Sequence, residues 1–104
     1  MSERREHERH LIQMLAILKF ANGVIIEGKT REMSMGGAFI ECDTDAELHE
    51  GDTCTVSLKI EETGEIIDTE IYSTITHRGG HGVGCKFLKI NSTYYQFMGN
   101  LIDD

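Results

Sequence analysis

The feature that most restricts the fold is a period of two in the placement of apolar side chains. Across residues 53–60 every second position is apolar, so Cys54, Val56, Leu58 and Ile60 share one face and Thr53, Thr55, Ser57 and Lys59 the other. Successive side chains of a strand point to opposite faces, so this run reads as a half-buried β-strand. Residues 24–31 follow the same rule, with Val24 and Ile26 set against Glu27, Lys29 and Arg31. Residues 11–20 are apolar almost throughout, which suits a central strand or a short helix. The Asn22-Gly23 dipeptide decides for the strand. It suits a type I′ turn, with positive φ at both central residues, and joins the two runs as a hairpin.

Further strands are expected at 38–42, 66–76 and 83–90. The connections carry turn chemistry: 43–52 is polar with a single glycine, 61–65 contains Thr63-Gly64, and Arg78-Gly79-Gly80-His81 is a tight turn. About six strands with short antiparallel connections and no helix between them argue against a parallel sheet. A closed or nearly closed β-barrel removes the exposed edges, so the expected class is all-β. The period then changes. Tyr94, Phe97, Met98 and Leu101 are spaced i, i+3, i+4, i+7, and Asn91 or Ser92 suits an N-cap. This predicts a short C-terminal helix whose apolar stripe lids one end of the barrel. One domain over 1–104 results, with a flexible arm at 1–10, the barrel at 11–90 and the helix at 91–102.

Composition limits the function. A chain of 104 residues, 39% hydrophobic and 27% charged, builds one packed core. A formal charge of −8, from 18 acidic and 10 basic side chains, repels duplex DNA. It leaves room for a small anion held in a local basic pocket. The longest apolar run is far below the ~20 residues of a membrane span, and no secretory signal follows the charged start, so no membrane insertion is expected. Cys42, Cys54 and Cys85 form no CxxC pair and read as free thiols in a reducing cytoplasm.

Two segments stand out as chemistry. The arm carries Arg4, Arg5 and Arg9, three of the ten basic side chains, with Arg5 and Arg9 four apart. The second is Glu32-Met33-Ser34-Met35-Gly36-Gly37, between two expected strands. A serine followed by two glycines lets consecutive backbone N–H groups converge on an anion, the hydroxyl being an extra donor. The plainer alternatives are a solvated terminus and a strand bend that needs glycine for positive φ. His77 and His81 flank a turn at i, i+4, but a hairpin does not hold them on one face, and no metal or other cofactor is expected. The cysteines fall at strand positions and read as small core residues, Met33 and Met35 as packing. No paired carboxylates or Ser-His-Asp set marks an enzyme.

Taken together with Gly82-Val83-Gly84-Cys85-Lys86-Phe87, these two segments resemble the PilZ domain family. Its pattern is RxxxR in an N-terminal arm and [D/N]xSxxG after the first hairpin, on a six-stranded antiparallel barrel with a C-terminal helix. Arg5 and Arg9 match the first motif, Ser34 and Gly37 the second, and Glu32 stands where Asp or Asn is usual. The resemblance covers residues 4 to about 102. It implies a non-enzymatic bacterial receptor for cyclic di-GMP, with Arg5, Arg9, Glu32, Ser34, Gly36 and Gly37 as ligand-binding residues. An arginine fork reads guanine O6 and N7 together, stacks on purines and pairs with phosphate. Each bidentate contact contributes about 1–3 kcal/mol, against about 8 kcal/mol for micromolar affinity. The resemblance also implies ordering of the arm on binding and a signal to a protein partner such as a motility, pilus or synthase component. The alternative is a nucleotide-blind adaptor of the same fold that acts by protein contact.

Overall fold

The computed structural model describes residues 10–44, 46–62, 64–79 and 81–102. Among these residues the chain forms β1 (Leu15–Phe20), β2 (Ile25–Met33), β3 (Gly37–Cys42), β4 (Thr53–Glu62), β5 (Glu65–Gly79), β6 (Gly82–Lys89) and α1 (Ser92–Ile102). Every neighbouring pair is antiparallel, and the sheet closes in the order β1-β2-β3-β6-β5-β4. The all-β barrel with a C-terminal helix is therefore the fold. Closure pairs every strand on both sides and leaves no edge to template aggregation.

The period-two runs fill the barrel. Cys54, Val56, Leu58 and Ile60 point inward and are buried, together with Leu18, Ile26, Ile40, Ile71, Ile75 and Val83. Each such aliphatic side chain stabilises the fold by about 1.5–3 kcal/mol. Residues 43–52 lead from β3 to β4, which are not adjacent in the sheet, and bury Leu48 in the core on the way. Asn91 is the N-cap of α1: its Oδ1 accepts the Tyr94 N–H at 2.9 Å. The same side chain donates from Nδ2 to Thr69 Oγ1 at 2.7 Å and to the Glu70 carbonyl at 2.9 Å, fixing the helix to β5. Tyr94 and Met98 are fully buried, and Phe97 and Leu101 pack partly against the core.

Two expectations are corrected. The strand expected from residue 11 begins at Leu15. The segment before it is held by the buried Thr30 instead of a regular ladder: Thr30 Oγ1 donates to the Ile12 carbonyl at 2.6 Å and accepts the Met14 N–H at 3.0 Å. The β1–β2 turn is also not type I′. Gly23 has φ +96° whereas Asn22 is not in the positive region, and the Gly23 N–H bonds to the Phe20 carbonyl at 3.0 Å. Ala21-Asn22-Gly23 thus form a three-residue loop, closed by Phe20 N–H on the Val24 carbonyl at 2.9 Å. Asn22 Oδ1 accepts the Val24 N–H, a local bond that suits asparagine without left-handed backbone.

Candidate functional site

The site begins with a break in alternation. Thr30 and Met33 of β2 are both buried although three residues apart, an odd spacing that an unbroken strand cannot put on one face. The register resolves this: Thr30 pairs with Ile40 and Glu32 with Phe39, so Arg31 is the extra residue of a β-bulge. The bulge puts Arg31 and Glu32 on the outside beside Phe39. A second shift, between Ile75 and His77, displaces β5 against β6 on the same side of the barrel.

Between the two irregularities lies an open depression of about 730 Å³ on the outer surface of β2, β3, β6 and β5. Its floor is low because Gly37 and Gly84 present no side chain there. A Cβ on Gly37 would run into the Cys85 carbonyl oxygen, and one on Gly84 would sit 3.2 Å from Thr76 Oγ1. The rim carries Arg31, His77 and Lys86, three basic side-chain types within a strongly acidic chain. The Arg31 guanidinium lies 4.2 Å from the centroid of the Phe39 ring, with Nη1 3.5 Å from Glu41 Oε2. That stack and that carboxylate hold the arginine at the mouth of the cleft.

The turn at 34–36 closes one end. Ser34 N–H donates to the Gly37 carbonyl at 2.9 Å, and Ser34 Oγ accepts the Gly36 N–H at 3.2 Å. Its carbonyls are tied inward: Phe87 N–H donates to Gly36 O at 2.8 Å, and the Tyr94 hydroxyl donates to Ser34 O at 2.6 Å. Burial pushes the Tyr94 hydroxyl well above the usual tyrosine range, so it stays a donor. Its ring meets Phe87 edge-on with centroids 5.1 Å apart. One helix residue therefore braces the Ser34 turn from inside. None of the residues 34–37 adopts positive φ, which differs from the bend that needs left-handed glycine. The Gly36 amide is engaged by the serine hydroxyl, where the sequence suggested amides converging on a ligand.

Backbone pairing brings the chain's leading segment to this turn. His10 N–H donates to the Met33 carbonyl at 2.7 Å, and Met33 N–H donates to the His10 carbonyl at 2.9 Å. The strand preceding Ser34 thus receives the residue that follows Arg9 in sequence.

Of the residues singled out from sequence, Glu32, Ser34, Gly36 and Gly37 line one cleft. Arg5 and Arg9 lie outside the described residues. Sequence reasoning missed Arg31, Phe39, Thr76, His77, Gly84 and Lys86 as lining. A signal for Arg31 was present, because Thr30 and Met33 cannot both face inward without an inserted residue between them. Cys85 also contributes to the lining, but its thiol is hydrogen-bonded to Cys54 and buried, both of which push it up. It is a protonated core thiol, not a nucleophile. His77 lines the cleft while His81 occupies the turn at φ 70°, and no group of three or more metal-ligating side chains converges among the described residues.

The sequence model of the PilZ domain matches residues 3–104. The chain belongs to the PilZ domain family. PilZ domains are receptor and adaptor domains for cyclic di-GMP. Solved structures share the fold. The inhibitor of motility MotI/DgrA of Bacillus subtilis superposes with a TM-score of 0.77 at 12% identity, covering 93% of this chain and 48% of its own. The chain therefore spans about half the length of that protein. The PilZ domain of YcgR from Escherichia coli, solved with c-di-GMP, gives 0.71 at 18% identity over 96% of this chain and 89% of its own. The PilZ domain of CeSA from a cellulose-synthesizing bacterium gives 0.63 at 22% identity over 88% and 89%. Among curated proteins none matches in sequence. No helix among the described residues is long and apolar enough to cross a membrane.

Proposed function

We propose that this PilZ domain is a cytoplasmic, non-enzymatic receptor that binds cyclic di-GMP in the cleft over β2, β3, β6 and β5, and passes the signal to a protein partner. Arg5 and Arg9 read guanine and phosphate, Ser34 and the Gly36-Gly37 backbone meet phosphate, and Glu32 accepts from a guanine edge. The observation that carries the reading is the His10–Met33 bridge, which ties the root of the arginine arm to the strand entering the Ser34 turn. Arg9 is one residue upstream of that bridge and Arg5 five. Five extended residues reach about 17 Å, while four adjacent strands span about 14 Å. The arm is therefore long enough to cross the whole cleft floor.

The glycine floor lets a flat base approach backbone, and Arg31 and Lys86 offset the repulsion a dianion meets from a chain of net charge −8. Ser34 Oγ accepts the Gly36 amide and donates to the Gly37 carbonyl at 3.4 Å; a phosphate oxygen takes the amide proton in place of the serine and the hydroxyl proton in place of the carbonyl. A Glu32 side chain is one methylene longer than the usual Asp and its carboxylate can accept from the guanine N1–H and amine in the same way. The ligand then orders the arm and presents a joint nucleotide–protein surface to a partner such as a motility, pilus or synthase component.

Calorimetric titration of the wild type with cyclic di-GMP tests this. Saturable heat in the tens of micromolar or tighter is expected, weakened about 5- to 160-fold by Arg9→Ala, as follows from losing one bidentate contact of about 1–3 kcal/mol. No heat at tens of micromolar would leave the adaptor that acts without nucleotide as the correct reading.

A further inference from the structure

We propose that Arg31 is a base-stacking platform of the barrel itself, carrying one guanine of the cyclic dinucleotide on the guanidinium face turned away from Phe39. The inference rests on the receptor reading above and adds a contact outside both the arginine pair of the arm and the Glu32–Gly37 segment. It starts from the bulge. As the inserted residue between Thr30 and Glu32, Arg31 stands outside the in–out alternation of β2, and its side chain is free to lie along the surface. It lies on Phe39, 4.2 Å from the ring centroid, and its edge faces Glu41 at 3.5 Å. Ring beneath and carboxylate at the edge fix the orientation of a plane that is otherwise floppy. The side chain nevertheless keeps 47% of its surface exposed and lines the depression.

A half-exposed planar cation resting over an aromatic ring is what a purine stacks on. Because Phe39 and Glu41 restrict the rotamers before any ligand arrives, little ordering entropy remains to be lost on binding. Glu41 engages only part of the guanidinium edge, and the remaining N–H donors are left for phosphate or guanine O6. Lysine at this position would keep the charge and lose the plane, which makes the platform distinguishable from simple charge attraction.

The experiment titrates cyclic di-GMP into wild type, Arg31→Lys and Arg31→Ala by calorimetry, and follows the Arg31 Nε–H resonance of the wild type during titration. Both variants are expected to weaken binding about tenfold, with lysine scarcely better than alanine and with unchanged thermal midpoints. The Nε–H proton is expected to move upfield under the ring current of the stacked base. Lysine binding within about twofold of wild type overturns the platform, because charge alone then suffices, and so does an Nε–H resonance that stays in place. If a variant's thermal midpoint falls, the wild-type resonance decides by itself. Absence of any wild-type heat is a different result: it removes the receptor reading and this inference with it.

Discussion

The barrel carries two outer faces made by the same sheet, and they differ in how regular their strands are. Over β1, β4 and β5 the ladders run without a shift: β4 and β5 stay in register from Thr53↔Thr74 to Glu62↔Glu65. Ion pairs project from this face: Lys59 Nζ lies 2.8 Å from Asp68 Oδ1 directly opposite in the β4–β5 register, and Lys19 Nζ of β1 reaches across β4 to within 3.6 Å of Glu70 Oε2. Over β2, β3, β6 and β5 the ladders break at Thr30/Glu32, at Tyr72/Ser73 and at Ile75/His77, and glycines stand where side chains would project. Regular pairing makes a wall of side chains in register, indented by about 620 Å³ where Leu15, Lys59, Glu61 and Ile66 meet Phe97 of the helix. Bulges and missing Cβ atoms make a hollow, and the hollow is where the basic rim, the Ser34 turn and the root of the arm meet.

The largest effect should come from filling that hollow at its floor. Gly37→Ala drives a Cβ into the Cys85 carbonyl, and a backbone atom cannot swing away as a side-chain tip can. A loss of about 2–3 kcal/mol is expected, seen as a lower urea midpoint with an unchanged slope. An unaltered midpoint would show that β3 and β6 are not held together closely enough to require glycine.

Next comes the brace beneath the same face. Tyr94→Phe keeps the ring on Phe87 and deletes the bond to the Ser34 carbonyl, for an expected loss of about 1–2 kcal/mol. The alkaline response sharpens this. The folded state holds the Tyr94 hydroxyl protonated above its unfolded value of about 10, so its contribution is whole below pH 10 and declines as pH rises toward the folded value. The stability gap between wild type and Tyr94→Phe should therefore narrow by about 1 kcal/mol between pH 9 and pH 11. A gap constant over that range would mean that the hydroxyl is not held by the fold.

How much of this was legible in the sequence follows from the same contrast. The regular face reads directly, because alternation in residues 53–60 survives unbroken into β4 and the helix stripe from Tyr94 to Leu101 turns inward as spaced. Glu32, Ser34, Gly36 and Gly37 were legible as one segment, and they line one cleft. The opposite rim was not, since Thr76, His77 and Lys86 become neighbours of Arg31 only through the pairing of β3 with β6 and of β6 with β5. The β1–β2 turn was misread because asparagine next to glycine serves a type I turn closed by a left-handed glycine as well as a type I′ turn, and loop length decides between them. The brace from Tyr94 to Ser34 spans 60 residues of chain, and no local pattern announces it.

The smallest effect should come from the regular wall, and its smallness is what separates the two faces. Lys59 and Asp68 sit directly opposite in the β4–β5 register, 2.8 Å apart, yet their side chains are 40% and 64% exposed. Water screens such a pair and two long side chains lose freedom in making it, so a double-mutant cycle through Lys59→Ala and Asp68→Ala should give a coupling of about 0.5 kcal/mol. Shortening the Debye length from about 10 Å at 0.1 M salt to about 3 Å at 1 M should erase most of it. A coupling above about 1.5 kcal/mol that persists at high salt would place a desolvated, structurally committed ion pair on the wall. The wall would then be as specialised as the hollow, and the contrast between a solvated ladder and a built site would no longer hold.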